Sequence, residues 1–544
     1  MSLTEEKNNF INIQNISILT ILIIIGIIVR FIVFPFDLPI YQDGEMYFWF
    51  ANDMNIIKGF PDSGEIDTSG PNIFWPITLA GIFYLFSSDN FIDYMELQRT
   101  VTALISVFTV IPIFFLCRKF VQDKYALIGS CLFLFDPRLI LNSLSGLPQP
   151  LFIILGIIAV VFFLSKKMFW VYVSFGVLAL FTLTRYEGII LIIPFSIMFF
   201  WRFREKKKII NFIICLSIFF IILYAADNLR AEANQESVDR SWYFSNAYIH
   251  YENPSKIVGE VCEFESESEL CEYSKACSSA ECLFFSVFSN AMINLIKYYG
   301  WITIPLFIFG IPFGLFKIFK KRDYKKWTII ICAITMLIPA FYGYSRDLNE
   351  IKYLYFQIPF LCILATLGIE FLVEKTKKQK IVSIALIPLI ISGGLIFFYD
   401  QIAIDYEYER EYFEIAKKID LEMNVINEID PVDNYIRSAK IASLDEFPVL
   451  HDSFERRSLE VIKIQGNENH IPSLEKLLEY GMQSDLEYLV VDQDGDGVSY
   501  MIEVFENEDD FPFLTKTYDS IDDGLKYHIK FFKIDYLLFN EYYG

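Results

Sequence analysis

The chain has 544 residues, of which 54% are hydrophobic and 17% aromatic, with a formal net charge of −21. Soluble domains sit nearer about 45–50% apolar, so a purely soluble protein is excluded. The acidic balance excludes nucleic acid as the main partner, because a polyphosphate backbone demands a basic surface.

The apolar excess falls in blocks of about 17–22 residues, the length that crosses roughly 30 Å of hydrocarbon. The first block, Ile16–Phe34, is too long for a signal-peptide core and no small-residue cleavage site follows it, so it reads as a retained first span. Further blocks centre on Val101–Leu116, Tyr125–Leu141, Pro150–Leu164, Phe169–Leu183, Gly188–Trp201, Ile209–Ala226, Tyr299–Phe319, Trp327–Tyr342, Tyr353–Val373 and Ile381–Tyr399. This pattern predicts about eleven spans.

The connections alternate in charge. One set holds Arg118, Lys119 and Lys124; Lys166 and Lys167; Arg202, Arg204 and Lys206–Lys208; Lys317–Lys326; and Lys375–Lys380. The other set is long, acidic or uncharged. The positive-inside rule places the N-terminus in the cytoplasm, and an odd number of crossings then places 400–544 outside. The expected fold class is a polytopic α-helical membrane protein. Its transmembrane domain spans 1–399 with outer loops 35–98 and 227–296, and an extracytoplasmic α/β domain spans 400–544.

Loop 35–98 opens with Tyr41-Gln42-Asp43-Gly44-Glu45-Met46-Tyr47 and an aromatic stretch. Asp43 falls about a helical turn beyond the first span. A carboxylate at a membrane surface beside aromatics gains basicity from burial and can accept a proton from an attacking hydroxyl. Asp67 and Gly70-Pro71-Asn72 lead into Ile73–Phe86, a run too short for a span and expected to lie at the interface.

Five of the nine Cys lie in or beside apolar blocks. The other four, Cys262, Cys271, Cys277 and Cys282, share the outer loop 227–296. An even set in an oxidising compartment predicts two disulfides, with three pairings open. A zinc site is the competing reading, disfavoured because the paired C-x-x-C spacing is missing.

In their order and placement these features resemble the membrane-embedded GT-C glycosyltransferases. The likeness is greatest to the branch of protein mannosyltransferases, aminoarabinose transferases and their archaeal relatives. Asp43-Gly44-Glu45-Met46-Tyr47 resembles that family's D-E-x-x-Y element, with the second acid displaced to Glu45. Gln98-Arg99-Thr100 resembles its arginine entry to the second span. Phe135-Asp136-Pro137-Arg138 and Asn142-Ser143-Leu144-Ser145-Gly146 resemble the end of its third span. Gln149-Pro150-Leu151 stands where an acid before Pro-Leu is usual. Leu183-Thr184-Arg185-Tyr186-Glu187-Gly188 and Arg346 with Lys352-Tyr353-Leu354 resemble its later elements.

The resemblance implies a polyprenyl- or dolichyl-phosphate sugar donor, an inverted product and Asp43 as general base, with Glu45 beside it. A departing lipid phosphate needs cationic partners. Arg99, Arg185, Arg346 and Lys352 are all expected at outer span ends, with Tyr47, Asp67, Glu187 and Tyr353 lining the substrate. The acceptor is a glycan, a protein or a lipid. The W-W-D-x-G element of oligosaccharyltransferases is not found, which leaves that branch as the runner-up. A secondary transporter predicts ionisable span centres and internal repeats, and neither is seen; a membrane scaffold leaves the acidic loop unexplained. No Gly-rich phosphate loop is present, which disfavours a nucleotide-sugar donor.

In the outer domain, Tyr412–Met423 and Ser473–Tyr480 read as helices, and Leu486–Val491, Leu514–Tyr518 and Tyr527–Ile534 as strands. Asp492, Asp494, Asp496 and Gly497, with Glu503 at the twelfth position, match a calcium-loop pattern. The preceding strand and Ser499 depart from that pattern, so an acidic strand-to-helix turn stays open beside it. No cofactor is required by the sequence; a divalent cation has two candidate sites, this loop and the first-loop acids.

Overall fold

Backbone groups in hydrocarbon find no water, so an apolar chain must close its hydrogen bonds within helices. The computed structural model describes residues 13–40, 43–53, 72–88, 90–204, 206–234, 255–258, 270–271, 277, 279–304, 307–308, 310–319, 323–401, 406–422, 439–443, 459–463, 473–483, 486–493 and 499–543. The bundle begins with α1 (Ile13–Ile32), α2 (Asp43–Asp53), α3 (Phe74–Tyr84), α4 (Phe91–Phe108), α5 (Val110–Cys117), α6 (Asp123–Leu134), α7 (Pro137–Asn142), α8 (Gln149–Phe163) and α9 (Met168–Thr184). It continues with α10 (Ile192–Arg202), α11 (Lys208–Asn234), α12 (Ala280–Thr303), α13 (Ile311–Phe319), α14 (Tyr324–Thr335), α15 (Leu337–Ser345), α16 (Ile358–Val373) and α17 (Gln379–Gln401).

Among the described residues, six stretches are long and apolar enough to cross a membrane: Ile13–Ile32, Ile92–Cys117, Lys208–Ala226, Tyr324–Ser345, Ile351–Val373 and Ile381–Tyr399. Helices α3, α8 and α9 are apolar but shorter. The chain is a multi-pass membrane protein.

Several expected spans are not single helices. The block Tyr125–Leu141 breaks at Asp136, whose carboxylate caps α7 by accepting the Arg138 amide, with Pro137 at the first helical position. The block Gly188–Trp201 begins in a 3₁₀ segment, Tyr186–Leu191, before α10. The block Tyr299–Phe319 is split between α12 and α13, because Ile304 is extended. A second 3₁₀ segment, Ile351–Gln357, opens α16.

The C-terminal part carries α18 (Tyr406–Glu422), β1 (Ala439–Ser443), β2 (Leu459–Lys463), α19 (Leu474–Gln483), β3 (Leu486–Asp492), α20 (Ser499–Glu506), β4 (Leu514–Asp519), β5 (Ile529–Ile534) and α21 (Tyr536–Tyr543). The sheet order is β2-β1-β3-β5-β4. The first three strands pair in parallel, while β5 runs antiparallel to both β3 and β4. On β3, Leu489 and Val491 pack with Leu477, Met501 and Phe532, while Tyr488 and Val490 pack with Ile415 and Ile419 of α18. A strand covered on both faces needs apolar residues at consecutive positions, which is why Leu486–Val491 reads as a strand in the sequence. Phe413 of α18 joins the aromatic core of α2 and α3, so the same helix ties the sheet to the first outer loop.

Two predictions follow from buried and paired charge. Arg138 neutralises Asp136 and donates to the carbonyls of Trp301 at 2.7 Å and Ile304 at 3.1 Å. Arg138→Leu leaves a buried carboxylate alone, and should cost about 3–5 kcal/mol in detergent melting; an unchanged melting point refutes this.

In the C-terminal part, Glu508 and Asp519 share Lys516, with Lys530 also on Glu508. Burial opposes ionisation of both carboxyls; the lysine hydrogen bonds, with the Ile521 amide on Asp519, outweigh it and hold them below their usual range. A depressed folded value gives stability that is present above about pH 4 and lost as pH falls through it. Protection of the β4 and β5 amides, taken against the intrinsic exchange rate at each pH, should therefore fall in acid, and Lys516→Met should flatten that dependence. An identical acid slope in the variant overturns the assignment.

Candidate active site

The site is built on the connection between α1 and α2. Residues 35–40 are irregular backbone with carbonyls to satisfy. Arg99, 4% exposed on α4, satisfies them: it donates to Pro35 O at 3.4 Å, to Leu38 O and to Pro39 O at 2.6 Å, and across to Leu144 O at 3.1 Å. Its neighbour Gln98 donates to Gly44 O at 2.8 Å and Gly146 O at 2.9 Å. These two side chains fix the start of α2 against the 142–146 segment.

That packing explains the displaced acid. A Cβ on Gly44 would lie 2.5 Å from the Ser145 carbonyl oxygen and 2.4 Å from Ile40 Cγ2, so only glycine fits after Asp43. The next acid, Glu45, is two residues on and about 200° round the helix from Asp43. Tyr47, four residues on, shares the Asp43 face. It is buried, its hydroxyl is hydrogen-bonded to Asn72, and burial pushes its phenol up. Asn72 also accepts the Tyr186 amide at 2.9 Å, so one amide side chain ties α2 to the loop bearing Arg185.

The cations arrive on the two 3₁₀ segments. Lys352 Nζ lies 2.7 Å from Asp43 Oδ2 and 2.6 Å from Glu350 Oε2. The lysine side chain is 16% exposed and that of Asp43 is 54%, so the acid sits at the mouth and the ammonium behind it. Arg185 Nη2 lies 2.6 Å from Glu187 Oε1. Behind these groups opens a small cavity. Gln149, Arg185, Glu187 and Lys352 give it polar groups, and Phe152, Ile153, Met336 and Phe356 give it apolar walls.

Of the residues expected from sequence, Asp43, Tyr47, Arg185, Glu187, Lys352 and Tyr353 meet here. Arg99 does not: its guanidinium is turned onto backbone carbonyls, which makes it a positioning group rather than a phosphate ligand. Arg346 lies 6.0 Å over the Tyr342 ring and is not among the cavity residues. Asp67 lies outside the described residues. Asn72, Gln149 and Glu350 join the site without a role readable from sequence: Asn72 only leads into Ile73–Phe86 there, and Gln149 only stands before Pro150.

Between α11 and α12, Cys277 and Cys282 form a disulfide with Cα atoms 5.4 Å apart, and Cys271 is disulfide-bonded as well. Thiols so used leave no zinc ligands in them. Cys262 lies outside the described residues. Asp492 is buried and accepts the Tyr527 hydroxyl at 3.3 Å. Glu503 is exposed on α20, and Asp494 and Asp496 lie outside the described residues.

The described first-loop site does not fit a metal ion. Lys352 already stands between Asp43 and Glu350, and Arg185 holds Glu187. Position 149 offers a neutral amide in place of an acid. No group of three His, Cys, Asp or Glu suited to a metal occurs among the described residues.

The chain has the GT-C fold of membrane glycosyltransferases. No protein-family model matches it, and no curated protein matches its sequence. Among solved structures, the oligosaccharyltransferase AglB of Archaeoglobus fulgidus, in complex with an inhibitory peptide and a dolichol-phosphate, superposes with a TM-score of 0.56 at 13% identity, over 93% of this chain and 72% of that one. An A. fulgidus oligosaccharyltransferase with zinc and sulfate gives 0.53 at 13% identity, over 92% and 71%. ArnT of Cupriavidus metallidurans, bound to undecaprenyl phosphate, gives 0.53 at 11% identity, over 95% of this chain and 98% of that one.

The bridge through Asn72 gives a direct test of how the site is held. Asn72→Ala should cost about 1–2 kcal/mol and speed amide exchange at Tyr186. Unaltered exchange there removes Asn72 from the scaffold.

Proposed function

We propose that the chain transfers a sugar from a polyprenyl- or dolichyl-phosphate-linked donor to a hydroxyl acceptor, with inversion and with Asp43 as general base. The observation that carries this reading is the placement of Asp43 at the mouth of a cavity whose polar side holds Lys352 and Arg185 and whose walls are apolar. Cations beside apolar walls suit a lipid phosphate; an exposed carboxylate in front of them suits an incoming acceptor. The bound lipid phosphates of the AglB and ArnT structures support the donor class.

The acceptor oxygen forms its bond to the anomeric carbon as its proton passes to Asp43. The bond from that carbon to the phosphate oxygen breaks, and the electron pair leaves with the lipid phosphate. Lys352 and Arg185 meet the charge that develops there, in a partly dry site where such contacts are strong. Lys352 also holds Asp43 in place before the donor binds. A phosphate that draws the ammonium inward releases the carboxylate to act as base.

This reading places the site outside the cytoplasm, with 1–399 as the transmembrane domain and 400–544 as an extracytoplasmic α/β domain. The acceptor is a glycan, protein or lipid.

Transfer from labelled polyprenyl-phosphate sugars in membranes tests the proposal. Asp43→Asn should lower turnover by about 10²–10⁴ without lowering the melting point. Undiminished turnover removes Asp43 as base.

A further inference from the structure

Two oxygen atoms in the cavity stand out by what they lack. Gln149 is 3% exposed, and its Oε1 has no hydrogen-bond partner among the described residues. Glu187 uses Oε1 for Arg185, while its Oε2 is buried without a partner. Both residues line the same cavity. A buried acceptor left unmade costs about 1–3 kcal/mol, and two in one cavity mark a surface shaped for donors that come with a ligand.

The fold puts Gln149 there deliberately. It is the first residue of α8, after Pro148, with Pro150 next. Its own helix asks nothing of the side chain, which enters the cavity beside Phe152 and Ile153. The phosphate-gripping charges are separate: Lys352 is held by Asp43 and Glu350, and Arg185 by Glu187. The unpartnered oxygens are therefore not needed for phosphate, which is itself an acceptor and would be repelled by them.

We infer that Gln149 and the free oxygen of Glu187 read the hydroxyl groups of the donor sugar, and that this sugar is neutral rather than a uronic acid. The inference rests on the reading of the cavity as a lipid-phosphate-sugar site. Sugar hydroxyls supply the O–H donors that both oxygens require. Three carboxylates already face two cations here. A sugar carboxylate would meet Glu187 Oε2 with no cation left over, and like charges in such a site are strongly disfavoured.

Gln149→Leu keeps the helix and all five ion-paired side chains. Binding to the full-length protein in detergent is measured for three probes: undecaprenyl phosphate without sugar, undecaprenyl-phosphoglucose and undecaprenyl-phosphoglucuronate. The parent should bind the glucose lipid at least tenfold more tightly than the glucuronate lipid. Gln149→Leu should weaken the glucose lipid about five- to tenfold, the worth of one hydrogen bond to a buried group, and leave the sugar-free lipid unchanged. Gln149→Asn, which keeps an amide on a shorter stem, should recover part of the loss. Equal weakening of the sugar-free and glucose lipids overturns the role of Gln149. Equal binding of glucose and glucuronate lipids by the parent overturns the neutral-sugar assignment. Failure of the parent to bind any of the three overturns the lipid-phosphate reading itself, and is distinct from the other two.

Discussion

The site depends on one buried guanidinium. Arg99 gathers the carbonyls of the α1–α2 connection and of Leu144, and in doing so it decides where Asp43 can stand. Irregular backbone at membrane depth is tolerated only where protein satisfies it. Arginine is suited to the task because its planar fork presents several donors at once. Gln98 extends the clamp to Gly44 and Gly146. A carboxylate carried by a short helix on a loop would otherwise wander; here its first turn is bolted to two elements of the bundle.

The same economy governs the charges. A lone ammonium or carboxylate beside apolar walls is costly. Lys352 sits between two acids, and Arg185 beside one, so each charge is carried at tolerable cost until a ligand competes for it. The arrangement gives the site a fixed cation where other chemistries would recruit an ion. It also explains why glutamine at position 149 is compatible with function: with an ammonium in place, a further acid would have no cation to hold.

Much of this was legible in the sequence, and the residues show why. Apolar block length and charge alternation mark the bundle, and motif order marks Asp43, Arg185, Glu187 and Lys352 as candidates. The strand Leu486–Val491 is readable because both its faces are covered. β1 and β2 were missed: Ala439–Ser443 and Leu459–Lys463 mix charged and apolar residues in short runs without the continuous apolar character of β3. Arg99 was misassigned because sequence shows a cation near a span end and not the carbonyls waiting for it. The breaks at Asp136 and Ile304 were missed because hydropathy averages over them. Gln149 carries no signal of its own, since an amide is informative only once its unmet oxygen can be seen.

Both cations of the site ride on 3₁₀ segments, Arg185 at the head of Tyr186–Leu191 and Lys352 within Ile351–Gln357. A 3₁₀ helix rises about 2.0 Å per residue against about 1.5 Å for an α-helix. Rewinding six or seven residues from one form to the other shifts the tip by about 3 Å, the span of a single hydrogen bond. The reach of each positive group is thereby metered by winding of the main chain: stretched segments hold the charges forward against their acids, and tightening by one notch would withdraw them without any side chain changing rotamer.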